Sequence, residues 1–253
     1  MLYSYIDEIN LINEGFIVKD DTVYFDAESK EIIDTSFGKT KKLKPYQMKL
    51  PFGVMYSIYK ASDSKEYNEV LKAIKGQSSK YKMDQESYDK FLTRSALYMS
   101  RIILQEEIDT IILMESSSKI LIDLSMRLNK YLPKYYDTFT YDKGIFKNPD
   151  FSKIFIDIGD KDLDEKTLKD LKRTIDKLER EQYFSIKSFF ARNRKFIKNW
   201  LKVEDKILSK IVDKNVAVID DIVTSGSTIK EASWLLNESG ATKVVGLSLI
   251  KGN

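Results

Sequence analysis

Cysteine and histidine are both absent from the 253 residues. Disulfides, thiolate nucleophiles, zinc clusters of the usual type and every histidine-dependent triad are therefore excluded. Long apolar runs are missing too: none approaches the roughly 20 residues needed to span a bilayer. The N-terminal stretch MLYSYIDEINLINEGF carries Asp7 and Glu8 with no basic flank or long apolar core, so it does not read as a signal peptide, and a cytoplasmic location is expected. Charge of one sign is barely in excess, with 42 Lys and Arg against 39 Asp and Glu, a formal +3. That is too slight to imply nucleic acid or membrane, so any basic site has to be local. What is present is a 42% hydrophobic content, enough for a proper core in one large domain or two small ones.

The first 60 residues hold short β-like pieces, FIVKDDTVYFDAES and EIIDTSF, with Asp20 and Asp21 placed to turn a hairpin between FIV and TVYF. The stretch GKTKKLKPYQMKLPFG, basic and broken by Pro45 and Pro51, reads as loop. From Ser87 to Glu106, the spacing of Phe91, Leu92, Ala96, Met99, Ile103 and Leu104 fits one face of a long helix. TIILMESSSKILIDLSMRL then has the form strand, polar turn, helix. Ile111 to Met114 are uniformly apolar, as in a strand covered on both faces, and Ile120, Leu121, Leu124 and Leu128 switch to helical spacing. A second unit of this form fills residues 215–239, with Gly240 as a helix stop and KVVGLSLI as a last strand. Two such units predict an α/β fold around a parallel, Rossmann-like sheet.

About eighty residues between the units, 135–214, do not repeat the pattern. Within them DLDEKTLKDLKRTIDKLEREQ places Leu168, Leu171, Ile175 and Leu178 along one face of an amphipathic helix, either packed on its own domain or serving as a dimer-forming arm. The division expected is an N-terminal extension over 1–84 and a core over 85–253 with a helical insertion at about 135–214.

The stretch VAVIDDIVTSGSTIKEA, 216–232, carries the most chemistry. An apolar strand has no use for paired charge, and in an open parallel sheet ligands sit beyond the carboxyl ends of the strands. Asp220 and Asp221 fall at that end, pointing to opposite sides as successive residues of an extended segment must. Thr224, Ser225, Gly226, Ser227 and Thr228 follow as a tight turn opening a helix, with small side chains that let backbone N–H groups close around an anion. Carboxylates beside an anion cradle suit a ribose 5-phosphate, the acids taking its hydroxyls and the turn its phosphate. Neither G-x-x-x-x-G-K-[ST] nor G-x-G-x-x-G occurs, so the phosphate loop of nucleoside triphosphatases and the dinucleotide fingerprint are both missing.

VAVIDDIVTSGST resembles, over all thirteen positions, the phosphoribosyl-pyrophosphate signature of the type I phosphoribosyltransferases. The turn Glu115, Ser116, Ser117, Ser118 and Lys119 is similar by position to the family's pyrophosphate loop. The resemblance spans roughly residues 85–250 and implies transfer of a ribosyl phosphate from 5-phosphoribosyl 1-pyrophosphate to an acceptor nitrogen, with release of pyrophosphate. It implies Mg²⁺ as cofactor, held largely by substrate oxygens and water with Asp220 and Asp221 acting indirectly. Family members usually close a flexible basic loop over the diphosphate. KSFFARNRKFIKNWLK, 187–202, with six basic residues and no acid, is the candidate, Arg192, Arg194 and Lys195 being its expected phosphate contacts. The same segment also reads as a solvated amphipathic helix with Phe189, Phe190, Phe196 and Trp200 turned inward, or as a contact for single-stranded nucleic acid.

Thr224 stands where the hypoxanthine and guanine salvage enzymes of that family carry a catalytic aspartate, which disfavours a 6-oxopurine acceptor. The covering hood has to come from the N-terminal 80 residues or from the insertion. A rival reading from another class is a catalytically inactive protein of the same fold that binds a phosphoribosyl ligand or nucleic acid as a regulator, because a ligand cradle does not by itself imply turnover.

Overall fold

A computed structural model describes residues 15–26, 33–34, 46–50, 53–61, 67–116, 118–132, 139–157, 164–181 and 186–252. The chain opens with a hairpin of β1 (Gly15–Lys19) and β2 (Thr22–Asp26), paired antiparallel. Asp20 and Asp21 turn it with φ of 47° and 58°, the pair of positive angles that matches the twist of the two strands. After β3 (Ile33–Asp34) come β4 (Tyr46–Leu50) and β5 (Gly53–Ala61). The loop expected around residues 38–53 is thus partly a strand. Pro45 and Pro51 bracket β4 rather than interrupt it, and between them Tyr46, Met48 and Leu50 alternate with Gln47 and Lys49.

Helix α1 (Tyr67–Ile74) and the short β6 (Lys82–Met83) lead into α2 (Gln85–Gln105), the long helix expected from its apolar spacing. The Asp84 carboxylate starts α2 by accepting a 2.8 Å bond from the Ser87 N–H. Phe16, Phe25, Tyr59 and Phe91 pack with ring centroids 5.1 to 5.9 Å apart, which fastens the hairpin to α2 and to β5. The first strand-turn-helix unit follows as β7 (Thr110–Met114) and α3 (Ile120–Tyr131).

The segment between the units mixes classes. It contains β8 (Phe139–Lys147), β9 (Phe155–Ile156), α4 (Glu165–Arg180), β10 (Ile197–Lys198), β11 (Leu201–Val203) and α5 (Asp205–Ile211). Of the amphipathic helix α4, Leu171 and Leu178 are buried within the chain itself. Residues 186–188 and 191–196 form short 3₁₀ turns rather than one α-helix, with Phe189, Phe196 and Trp200 buried and Phe190 exposed. The second unit closes the chain as β12 (Asn215–Val223), α6 (Ser227–Glu238) and β13 (Lys243–Lys251). Gly240, at φ 95°, stops α6, and the Ala241 N–H returns to the Leu236 carbonyl at 3.0 Å.

The fold is α/β. One eight-stranded sheet runs in the order β11, β8, β7, β12, β13, β5, with β3 and β4 both on the outer edge of β5. From β8 to β5 the five central strands are parallel; β11, β3 and β4 pair antiparallel at the edges. Because β5 pairs with β13, this sheet draws on residues upstream of 85. Among the described residues, no helix is long and apolar enough to cross a membrane.

Candidate functional site

Connections leave β7 and β12 in opposite directions. Helix α3 carries the chain from β7 to β8 on one side, and α6 carries it from β12 to β13 on the other. β7 and β12 are themselves neighbours, with Leu113 opposite Ile219. Two turns that diverge from adjacent parallel strands leave a crevice between them, the place where open α/β sheets bind ligands. A cleft of about 970 Å³ opens there.

β12 outruns its neighbour. Its pairing with β7 ends at Ile219, whereas its pairing with β13 continues to Val223. Asp220 and Asp221 therefore stand on a strand supported from one side and open to the cleft on the other, which both of them line. Alternation sends them apart: Asp221 is buried at 5% exposure, and Asp220 is half-buried. The Asp220 carboxylate accepts a 2.8 Å bond from the Asp221 N–H. Asp221 Oδ2 is 2.7 Å from Lys75 Nζ and accepts a 3.0 Å bond from Ser116 Oγ. This hydrogen bond ties the end of β12 to the turn after β7, so beyond the paired strands the two units are joined through the Asp221 carboxylate.

Thr224 to Thr228 all line the cleft and lead into the N-terminus of α6, whose first N–H groups have no partner within the helix. Gly226 caps the helix at φ 72°, a left-handed conformation that glycine adopts at no steric cost, and a Cβ there would collide with the Met48 methyl group. The Ser225 and Ser227 hydroxyls lie 2.7 Å apart across the turn. Chemically this is a row of amide and hydroxyl donors at the positive end of a helix dipole, suited to an anion.

Of the other sequence candidates, Glu115 and Ser116 line the cleft, whereas Ser118 and Lys119 do not; Ser117 lies outside the described residues. Ser116 and Ser118 hydroxyls are 3.2 Å apart. In the basic segment Arg194 is half-buried and reaches the cleft wall, its Nε donating to the Phe189 carbonyl at 3.1 Å. Lys195 is exposed and stands 4.9 Å over the Phe196 ring instead. The side chain of Arg192 lies outside the described residues.

No sequence pattern points to Lys75 as a partner of the acidic pair. It follows the last turn of α1, whose Tyr67, Val70, Leu71 and Ile74 have helical spacing that could have revealed the helix but not its partner. Lys72 and Lys75 together give the cleft a cationic wall on this side. The cleft is also lined by Ile145 and Phe146 of β8, Trp200 of the turn before β11 and Leu201 of β11, an apolar and aromatic wall built by the segment between the two units. As metal donors, Asp220 and Asp221 are too few to hold a cation unaided, since Asp221 already has Lys75; they fit one delivered by a ligand's own oxygens.

No protein-family model and no curated protein matches the sequence. Among solved structures, the chain is similar to a hypoxanthine-guanine phosphoribosyltransferase from Bacillus anthracis at 12% identity, over 64% of this chain and 67% of that one, with a TM-score of 0.36. It is also similar to a hypoxanthine phosphoribosyltransferase from Staphylococcus aureus, at 10% identity over 64% of each chain and a TM-score of 0.35. A third, from Trypanosoma cruzi, shows 9% identity over 64% of each chain and a TM-score of 0.34.

Proposed function

We propose that the chain is a phosphoribosyltransferase of the type I family, transferring the ribosyl phosphate of 5-phosphoribosyl 1-pyrophosphate to a nitrogen acceptor. The observation that carries this reading is the position of the acidic pair and the 224–228 cradle together, in one cleft at the switch point between β7 and β12. Residues 224–228 bind the 5-phosphate through the α6 N-terminus, and Asp220 and Asp221 accept the ribose hydroxyls. Lys75 and Arg194 draw the diphosphate, and the turn at Glu115 and Ser116 borders it. Asp220 and Asp221 are the side chains that would face a Mg²⁺ bound with the diphosphate, which would supply charge neutralisation of the leaving group.

Transfer in such a cleft is mostly positioning. The carboxylates stabilise the positive character that develops on the ribose as the C1′–O bond to pyrophosphate breaks, and the acceptor nitrogen attacks the opposite face of C1′. The wall of Phe146 and Trp200 excludes water from that face and favours a planar acceptor. Thr224 occupies the cradle's first position and offers no carboxylate as a base, so the acceptor is one that needs no proton removed there, unlike a 6-oxopurine.

Mixing the protein with Mg²⁺, phosphoribosyl pyrophosphate and a panel of nitrogenous bases, and following pyrophosphate release, tests the reading. Release with one acceptor is expected. Tight phosphoribosyl pyrophosphate binding without release from any base favours a regulator that only binds the ligand. No binding at all, with retention on single-stranded nucleic acid, sinks both.

A further inference from the structure

Glu231 takes no part in the chemistry above, yet it is one of the most thoroughly buried charged residues described, at 2% exposure. It stands one turn inside α6, the helix whose N-terminus forms the phosphate cradle. Its carboxylate accepts hydrogen bonds from two successive backbone N–H groups, those of Asn199 and Trp200. These residues form the turn between β10 and β11, where Asn199 adopts a left-handed φ of 59°. The far side of that turn is fixed as well. Asn148 donates from its side chain to the Asn199 carbonyl at 2.9 Å and from its backbone to the Trp200 carbonyl at 2.9 Å. The Asn199 side-chain Nδ2 in turn donates to the Lys153 carbonyl at 3.0 Å.

We propose that Glu231 is a positioning residue that clamps the 198–200 turn to the phosphate-binding helix, and that its protonation state sets how firmly Trp200 is held as a wall of the cleft. Two N–H bonds to one carboxylate define the turn more tightly when the oxygens are charged, because charge-assisted bonds are about twice as strong as neutral ones. Burial pushes the Glu231 carboxyl up to about 7, against the lowering effects of Lys198 and the two N–H groups. The charged group facing it is Lys198, whose Nζ is 3.8 Å from Oε2 and 5.7 Å from the Trp234 ring. One turn away on its own helix stand Ser227, Thr228, Trp234 and Leu235, none charged. The clamp therefore titrates near neutrality and couples the cradle to the Trp200 wall through a single side chain. Its effect on an acceptor rests on the transferase reading; the clamp itself does not.

The two tryptophans, Trp200 and Trp234, make the test direct. Labelling with 5-fluorotryptophan gives two ¹⁹F resonances, assigned by Trp234→Phe. The Trp200 resonance is expected to move with pH between 5.5 and 8.5 around a midpoint near 7, to lose that movement in Glu231→Gln, and to titrate at a higher pH in Lys198→Met. A Trp200 resonance that ignores pH in the native chain, or one whose titration survives Glu231→Gln, overturns the proposal. Calorimetry with Mg²⁺ and phosphoribosyl pyrophosphate runs alongside. Absence of binding would count against the transferase reading, while the ¹⁹F titration still decides the clamp.

Discussion

At the scale of single residues, Asp220 and Asp221 are neighbours in different surroundings, Asp221 buried and paired with Lys75, Asp220 half-buried. Asp220→Asn with Asp221→Asn is expected to abolish phosphoribosyl pyrophosphate binding in calorimetry while the far-ultraviolet circular dichroism stays native, because both acids line the cleft rather than fill the core. The Lys75 ion pair adds a stability effect that belongs to Asp221 alone. Lys75→Met leaves a carboxylate of 7% side-chain exposure without its cation, which should cost about 1–3 kcal/mol in urea unfolding. Adding Asp221→Asn to Lys75→Met should recover part of that loss, since a neutral amide no longer needs the ammonium. Equal losses in the single and double variants would show that Lys75 acts through packing instead. The position of the acids at the cleft was legible in the sequence because its signal is local, two charges where an apolar strand meets a small-residue turn. Lys75 was not, because the 146 positions separating it from Asp221 carry no periodicity that links them.

Elements show where local signals suffice. The strand-turn-helix units over 110–131 and 215–238, the Asp20 and Asp21 hairpin turn and helix α2 all follow from spacing, caps and turn residues that act over a few positions. β4 was misread for the same reason: two prolines within seven residues resemble a broken stretch until β5 supplies the partner that makes Tyr46–Leu50 a strand. The 187–202 segment likewise has the charge pattern of a solvated face, but Phe189, Phe196 and Trp200 are pulled into the core and only Phe190 of its aromatics stays exposed. Gly226 tests the turn that opens α6. Gly226→Ala forces a Cβ onto a left-handed residue and against Met48, and should cost about 1 kcal/mol in thermal or urea unfolding. Phosphate or phosphoribosyl pyrophosphate affinity should fall further than stability does, because the cradle's N–H groups shift with the turn. Unchanged affinity would remove the turn from the anion site.

For the molecule as a whole, Glu231 links stability to pH. Its carboxyl rises from 4.5 to about 7 on folding, so the stability it contributes is full below pH 4.5 and is lost as pH climbs through about 7. A shift of this size corresponds to about 3 kcal/mol between the two limits. Glu69 and Asp150 are lowered, chiefly by hydrogen bonds from Lys72 and Ser152, and act in the opposite sense at lower pH. Comparing the native chain with Glu231→Gln in urea at pH 5 and pH 8 isolates the residue: the variant should gain on the native chain as pH rises. A difference that stays constant with pH would mean that Glu231 does not change its proton affinity on folding.

The sequence by itself determined the parallel α/β architecture and the acidic strand end with the small-residue turn that opens α6, because apolar period, turn chemistry and helix stops are properties of adjacent residues. Tertiary structure decided the rest. It set β7 beside β12 so that their turns diverge, brought Lys75 from the end of α1 onto Asp221, raised the Phe146 and Trp200 wall from the segment between the two units, and buried Glu231 against the turn that carries Trp200. Each of these is a contact between residues far apart in the chain, formed only when strands choose their neighbours and helices their faces. Burial and pairing energies make that choice, and no short stretch of sequence carries them.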